Sequence, residues 1–179
     1  IAVLIDGPDA DVFSDAATQA LKATGVQTML TDSIADAYRH GRDRVASAKG
    51  VTELVTTTCN MRNATPYLYA TTGQAWLADE ALGEEVFGPL GLIVRVKDQS
   101  EMVEVAKALN GQLTRTLHID PDDTGMAQKL MPVLECKAGR ILANGFPTGV
   151  EVCDSMVHGA PIKSARSLLS AACRNAERR

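Results

Sequence analysis

The sequence predicts an α/β fold, three layers α/β/α around a mostly parallel sheet. Three observations predict it. Strand-like and helix-like segments alternate along the 179 residues, with no repeat, low-complexity tract or linker dividing them. The segment "GLIVRV", residues 91–96, has the unbroken aliphatic start of a parallel strand buried on both faces. The helical segments carry apolar residues every third or fourth position, which leaves one face for a sheet to cover.

Each element follows from local chemistry. "IAVLI" reads as a buried strand, and Asp6-Gly7-Pro8 as the turn that ends it. Asp9 or Asp11 then caps a helix that presents Val12, Phe13, Ala16, Ala17, Ala20 and Leu21 inward as far as about Ala23, with Gly25 as its stop. After the short segment Thr28-Met29-Leu30, a second helix is expected over residues 33–48, with Ile34, Ala37, Tyr38 and Val45 on one face and Gly41 as a weak point. Arg39, Arg42, Asp43 and Arg44 are assigned to its outer side, where His40 is read as solvated. "VTELVTTT" and "TPYLYATT" have the β-branched and aromatic composition of strands, joined by a polar connection that holds Cys59.

A short helix over residues 73–82 leads into a corner at residues 84–91, and strand 91–96 follows. The next helix, 100–109, takes Ser100 as its N-cap and turns Met102, Val103, Ala106 and Leu109 inward, until Asn110-Gly111 closes it. "QLTRTLHI" alternates as a strand, with His118 at an edge or in the core. Asp120 or Asp122 opens a helix through Met131, Val133 and Leu134, and "GRILANG" is a last short strand. The expected organisation is one domain over residues 1–161 and a C-terminal tail over 162–179.

Composition bounds the function. An apolar content of 45% supports a sizeable core, and a formal charge of -4 with 18 scattered Lys and Arg residues supplies no basic face for nucleic acid. The continuous apolar run at residues 1–5 is far too short for a membrane span or a signal peptide, so the expectation is a cytoplasmic protein with no membrane partner. Cys59, Cys136, Cys153 and Cys173 stand far apart without C-x-x-C spacing; no metal site or redox pair is expected, and each reads as a small buried hydrophobe. Cys59 has only Arg62 near it, too little to activate a nucleophile.

The stretch around which the rest is arranged is Glu84-Glu85-Val86-Phe87-Gly88-Pro89-Leu90-Gly91. Two adjacent carboxylates, an aromatic and a Gly-Pro turn interrupt an aliphatic chain just ahead of a strand. A carboxylate on such a turn can accept two hydrogen bonds from the vicinal hydroxyls of a ribose, and in extended backbone the residue two positions on points the same way. The plainer alternative is a helix end followed by a solvated acidic turn. A second candidate stretch, residues 144–161, has Gly145, Pro147, Gly149 and Gly159 bringing backbone close to a ligand, with Phe146, Val150, Val152 and Met156 as an apolar wall. A Gly/Pro-rich surface loop is its plain alternative. Both stretches are read as candidates for the carboxyl ends of strands, where open α/β sheets collect ligands.

"EEVFGPLGLIVRV" resembles the E-[IV]-F-G-P segment of the aldehyde dehydrogenase superfamily, and "GRILANGFPTGVEVCDSMVHGAP" resembles the matching stretch of its alpha-ketoglutarate semialdehyde and fatty aldehyde branch. The resemblance covers roughly residues 1–161. It implies an NAD(P)-dependent enzyme that oxidises an aldehyde to the acid through a cysteine thiohemiacetal. Glu85 would hold the nicotinamide ribose and Phe87 contact the nicotinamide side; Phe146, Thr148 and Val152 would line the aldehyde tunnel. NAD or NADP is the implied cofactor, a small-molecule aldehyde the implied substrate, and a homo-oligomer the implied state. No G-x-G-x-x-G follows a strand, but the resembled family holds its cofactor differently. By the resemblance the nucleophile, the base and the main cofactor pocket precede Ile1, so the chain is expected to be a C-terminal fragment, inactive alone. It also starts within a strand and without Met, as a fragment would.

His158 sits at a loop end before Gly159-Ala160-Pro161. A hydrogen-bonded structural histidine is the first reading, and an auxiliary catalytic imidazole beside a cysteine thiol the second. Two departures stand out: Ala160 replaces the second Gly of the family's His-Gly-Gly, and "IKSARSLLSAACRNAERR" replaces its Ser-Val-Gly ending. A frame shift or divergence near Pro161, altering the dimer contact, is the expectation. The second function considered is a non-catalytic α/β module for subunit association.

Overall fold

The computed structural model describes residues 1–146. They form two compact units, the first Ile1–Val105 and the second beginning at Ala106.

In the first unit the chain runs β1 (Ala2–Ile5), α1 (Pro8–Lys22), β2 (Gln27–Thr28), α2 (Asp32–Ser47), β3 (Val51–Val55), β4 (Asn63–Ala64), β5 (Tyr67–Thr72), α3 (Gly73–Ala78), a 3-10 turn (Glu80–Gly83) and β6 (Leu90–Val96), with α4 (Gln99–Ala108) following. The main sheet has the order β1-β6-β5-β3. β6 pairs in parallel with both β1 and β5, while β3 closes the far side antiparallel to β5, with a register shift between Glu53 and Val55. The sheet is therefore mostly parallel, and β6 is an interior strand. Leu92, Ile93, Val94 and Val96 are all buried, each contributing roughly 1.5–3 kcal/mol over an exposed position.

Side chains on β5 alternate, and the alternation assigns the helices. Leu68 clusters with Ile93 and Val55, against Leu4, Ala70 and the α1 residues Ala17 and Leu21. Tyr67 and Tyr69 take the other face, stacked 6.3 Å apart, and Tyr38 of α2 meets Tyr67 edge-on at 6.2 Å. α1 and α2 thus cover opposite faces, the three layers expected.

Several local expectations are corrected. Gly7 is the N-cap of α1, with Pro8 behind it, where a missing N–H costs nothing; Asp9 and Asp11 stand in the first turn, favoured by the helix dipole, and cap nothing. The buried stripe of α1 is Ala10 and Ser14 leading to Ala17 and Leu21, whereas Val12 and Phe13 are exposed. Ala16, Ala20 and the α2 residue Ala37 also face outward. α2 starts from Thr31, whose Oγ1 accepts from the Ile34 N–H at 3.2 Å. In α4 the capping side chain is Asp98, which accepts from the Glu101 N–H at 2.9 Å, and the buried residues are Glu101, Val105 and Ala106.

The second unit holds β7 (Gln112–Leu117), a 3-10 turn (Pro121–Asp123), α5 (Thr124–Glu135) and β8 (Ala138–Ala143), with β7 and β8 parallel. Asp120 and Asp123 cap the turn reciprocally. Met126, Leu130 and Leu134, four apart, form the buried stripe of α5. Cys136, expected as a thiol, is disulfide-bonded.

Candidate functional site

The corner at residues 84–89 is an extended segment clasped by α2. Glu84 pairs with Arg44 Nη1 at 2.6 Å. A Cβ built on Gly41 would lie 2.8 Å from Val86 Cγ1, so Val86 rests directly on the bare helix backbone. Gly88, at φ +148°, approaches so closely that a Cβ there would lie 2.7 Å from Tyr38 Cε2 and 2.8 Å from Met29 Cε. Positions 84, 86 and 88 therefore face α2. Glu85 and Phe87, between them, project outward and are exposed, Phe87 at 68%. Among the described residues Glu85 carries no hydrogen bond or ion pair. Sequence reasoning expected Glu85 and Phe87 to point the same way if the backbone is extended; both are exposed. It placed the corner at a carboxyl strand end, which is corrected: the corner leads into β6 and stands at the amino ends of β6 and β5, where Tyr67 N donates to Pro89 O at 3.0 Å.

In the layer beneath the corner, Tyr38 and Arg42 are hydrogen-bonded. Tyr38 Oη donates to the Thr65 carbonyl at 2.8 Å, and burial, foremost, pushes its phenol well above the ordinary range. Arg42, expected on the outer side of α2, is half-buried: its guanidinium lies 5.2 Å from the Tyr67 ring centre and donates to Tyr67 Oη at 3.1 Å. The long side chain carries its charge inward along the helix to an aromatic face, which a reading by residue type cannot foresee. Cys59 donates its thiol hydrogen to the Asn63 carbonyl at 2.5 Å, a structural contact.

A cleft of about 330 Å³ at the carboxyl ends of β1, β5 and β6 was not foreseen; Asp6, Thr72, Gln74, Arg95, Lys97 and Glu101 line it. Arg95 crosses it to Asp6 and Asp11, each at 2.6 Å, and those carboxylates, Asp11 foremost, raise its pKa. Its charge is already matched within the chain. Among the described residues no group of His, Cys, Asp and Glu could hold a metal ion, and no helix is long and apolar enough to cross a membrane.

In the second unit Phe146 is 81% exposed just past β8, its ring 5.2 Å from that of His118. That places it at the carboxyl end of a parallel strand, as expected. Thr148, Val152 and His158 lie outside the described residues.

No family model matches the chain. It is 51% identical over 166 residues to alpha-ketoglutaric semialdehyde dehydrogenase 2 of Azospirillum brasilense, covering 90% of this chain and 31% of that protein. It is 34% identical over 160 residues to alpha-ketoglutaric semialdehyde dehydrogenase of Acinetobacter baylyi, covering 88% of this chain and 30% of that one. The chain thus spans about a third of the length of the curated relatives it matches. The crystal structure of the NADP-dependent glyceraldehyde-3-phosphate dehydrogenase of Bacillus halodurans, complexed with NADP, superposes with a TM-score of 0.65 at 20% identity, covering 83% of this chain and 32% of that one. That likeness is one of fold. The resemblance to the aldehyde dehydrogenase superfamily, carried in the sequence by two segments, extends along nearly the whole chain.

Proposed function

We propose that this chain is part of an NAD(P)-dependent aldehyde dehydrogenase that oxidises alpha-ketoglutarate semialdehyde, and that its own contribution is the nicotinamide-ribose contact and one wall of the substrate tunnel. The observation that carries the reading is the alternation at the corner. Three contacts with α2 hold positions 84, 86 and 88, and leave the Glu85 carboxylate and the Phe87 ring exposed and without a partner among the described residues.

These residues fit the group. An unengaged carboxylate is acceptor-only and can take both hydroxyls of a ribose diol. An exposed aromatic two positions on offers a face to the adjoining nicotinamide. Glu85 and Phe87 would hold the nicotinamide end of the cofactor, which would supply hydride-accepting chemistry there. Phe146, Thr148 and Val152 shape the aldehyde tunnel, and His158 orients or deprotonates the nucleophilic thiol. By the resemblance that thiol comes from another part of the enzyme; Cys59 donates to the Asn63 carbonyl. The whole enzyme in this reading is a cytoplasmic homo-oligomer. The second reading, an association module without catalysis, is not favoured: the curated relatives that match nine-tenths of the chain are named as enzymes.

The test uses the whole enzyme of which this chain is a part, with aldehyde-dependent cofactor reduction as the readout. Losing a charge-assisted pair of bonds costs about 1.5–3 kcal/mol, so Glu85→Gln should lower kcat/KM for the cofactor roughly 10- to 100-fold. Wild-type kinetics in that variant would sink the ribose assignment. Tight NAD(P) binding by residues 1–179 alone would contradict a main cofactor pocket elsewhere.

A further inference from the structure

The corner carries two consecutive, chemically identical carboxylates, and only one of them can face outward from extended backbone. A slip of one residue would turn Glu84 and Val86 out and bury Glu85 and Phe87. We propose that Arg44 and Gly41 of α2 are positioning residues that select which carboxylate and which side chain are presented; this rests on the cofactor reading of Glu85 and Phe87 given above.

Two independent contacts carry the inference. Arg44 Nη1 holds Glu84 at 2.6 Å, while its Nε and Nη2 are buried without a hydrogen-bond partner among the described residues. A guanidinium in that situation has much to lose if its carboxylate leaves, because the charge would remain partly desolvated and unmatched. As a stabiliser the pair is weak, since the two side chains are 38% and 58% exposed. Its consequence is directional: the carboxylate it claims is the one held toward α2. Two positions on, Val86 occupies the space a side chain at 41 would fill. Its Cγ1, Cγ2 and Cβ all lie within 3.3 Å of a Cβ built there, so rotating one methyl away would not make room. Arg44 and Gly41 are three residues apart on one helix, and meet positions two apart on the extended strand. The spacing locks the register from both sides.

The whole enzyme is tested in two ways. First, Phe87→Cys and Val86→Cys are compared for maleimide labelling, with the site identified by peptide mass spectrometry. Position 87 should react about tenfold faster or more, in line with the difference between an exposed and a covered thiol, and Arg44→Met or Gly41→Ala should erase much of that ratio. Second, Arg44→Met should raise the cofactor KM about three- to tenfold and leave the aldehyde KM unchanged. Arg44→Lys, which keeps the charge, should restore most of the loss. In the Glu85→Gln background Arg44→Met should add nothing, the signature of a residue acting through another. A labelling ratio that survives both α2 substitutions overturns the proposal, as do additive effects that track a lowered Tm. Should the ratio collapse while Glu85→Gln leaves the cofactor KM unchanged, the clasp stands and the cofactor reading falls.

Discussion

Gly88 lies against the ring of Tyr38 so closely that no side chain fits between them, and it does so at φ +148°, a conformation that L residues rarely adopt. Tyr38 is itself almost wholly buried and tied by its hydroxyl to the Thr65 carbonyl, so the ring cannot retreat. Gly88→Ala should therefore cost about 1–3 kcal/mol in backbone strain before the clash is counted. A thermal melt of the 179-residue chain should show Tm lowered by about 2–4 °C for each kcal/mol. An unchanged Tm would mean the corner is not pinned to α2.

Glu101 is buried, yet its Oε2 accepts from the Lys97 N–H at 2.7 Å while its own N–H donates to Asp98 Oδ1 at 2.9 Å. Asp98 caps the start of α4, and Glu101 reaches back to the residue before that cap. A Cβ on Gly73 would lie 2.8 Å from the Glu101 Cδ, so the carboxylate is also packed. Glu101→Ala removes a charge-assisted bond and leaves a gap, an expected loss of about 1.5–3 kcal/mol in urea denaturation. Asp98→Ala should lose about 1 kcal/mol through the cap alone.

Neither of those contacts was legible in the sequence, which took Ser100 as the cap of α4. The parallel β6 was readable because an aliphatic run with no polar residue at alternate positions suits a strand covered on both faces and little else. Glu85 and Phe87 were readable as a same-facing pair, because a period of two follows from extended backbone alone. The face of α1 was not, since Val12 and Phe13 outrank Ala10 and Ser14 by hydrophobicity while the close fit against Leu68 and Ile93 selects the smaller pair's stripe. Arg42 was misplaced for the converse reason, a charge drawn inward by the Tyr67 ring. Gly41 read as a weak point in a helix; its use is a contact with Val86, far along the chain, which no local rule contains.

Alkaline pH should loosen the sheet face under α2. Burial first, and the nearby Glu53 charge second, push the Tyr69 phenol from its usual 10 to about 12. A folded-state pKa above the unfolded value means that the unfolded chain gives up this proton first. The stability tied to the neutral phenol is thus complete below pH 10 and lost as the pH rises towards about 12. Denaturation midpoints measured across that window should fall, and Tyr69→Phe should flatten the fall. A midpoint independent of pH through the window would contradict a buried neutral phenol.

Asn144 closes β8 with its side-chain amide, accepting from the Ile119 N–H and donating to the Ile119 carbonyl, both at 2.8 Å, while its own N–H donates to Leu117 O at 2.9 Å. Its φ is +49°, which Asn tolerates better than most residues. Two substitutions separate the two roles. Asn144→Gly keeps the backbone conformation and loses both amide bonds, an expected loss of about 1–3 kcal/mol. Asn144→Ala adds the left-handed penalty, a further 1–2 kcal/mol or so. Hydrogen exchange at the Ile119 amide should accelerate in both variants, more in Ala than in Gly. In the whole enzyme the aldehyde KM should rise in the same order with the cofactor KM unmoved, because Phe146 follows Asn144 by two residues and takes its direction from that turn. Equal exchange rates in the two variants would show that the backbone angle carries no strain, and a shift in the cofactor KM would remove Phe146 from the substrate side.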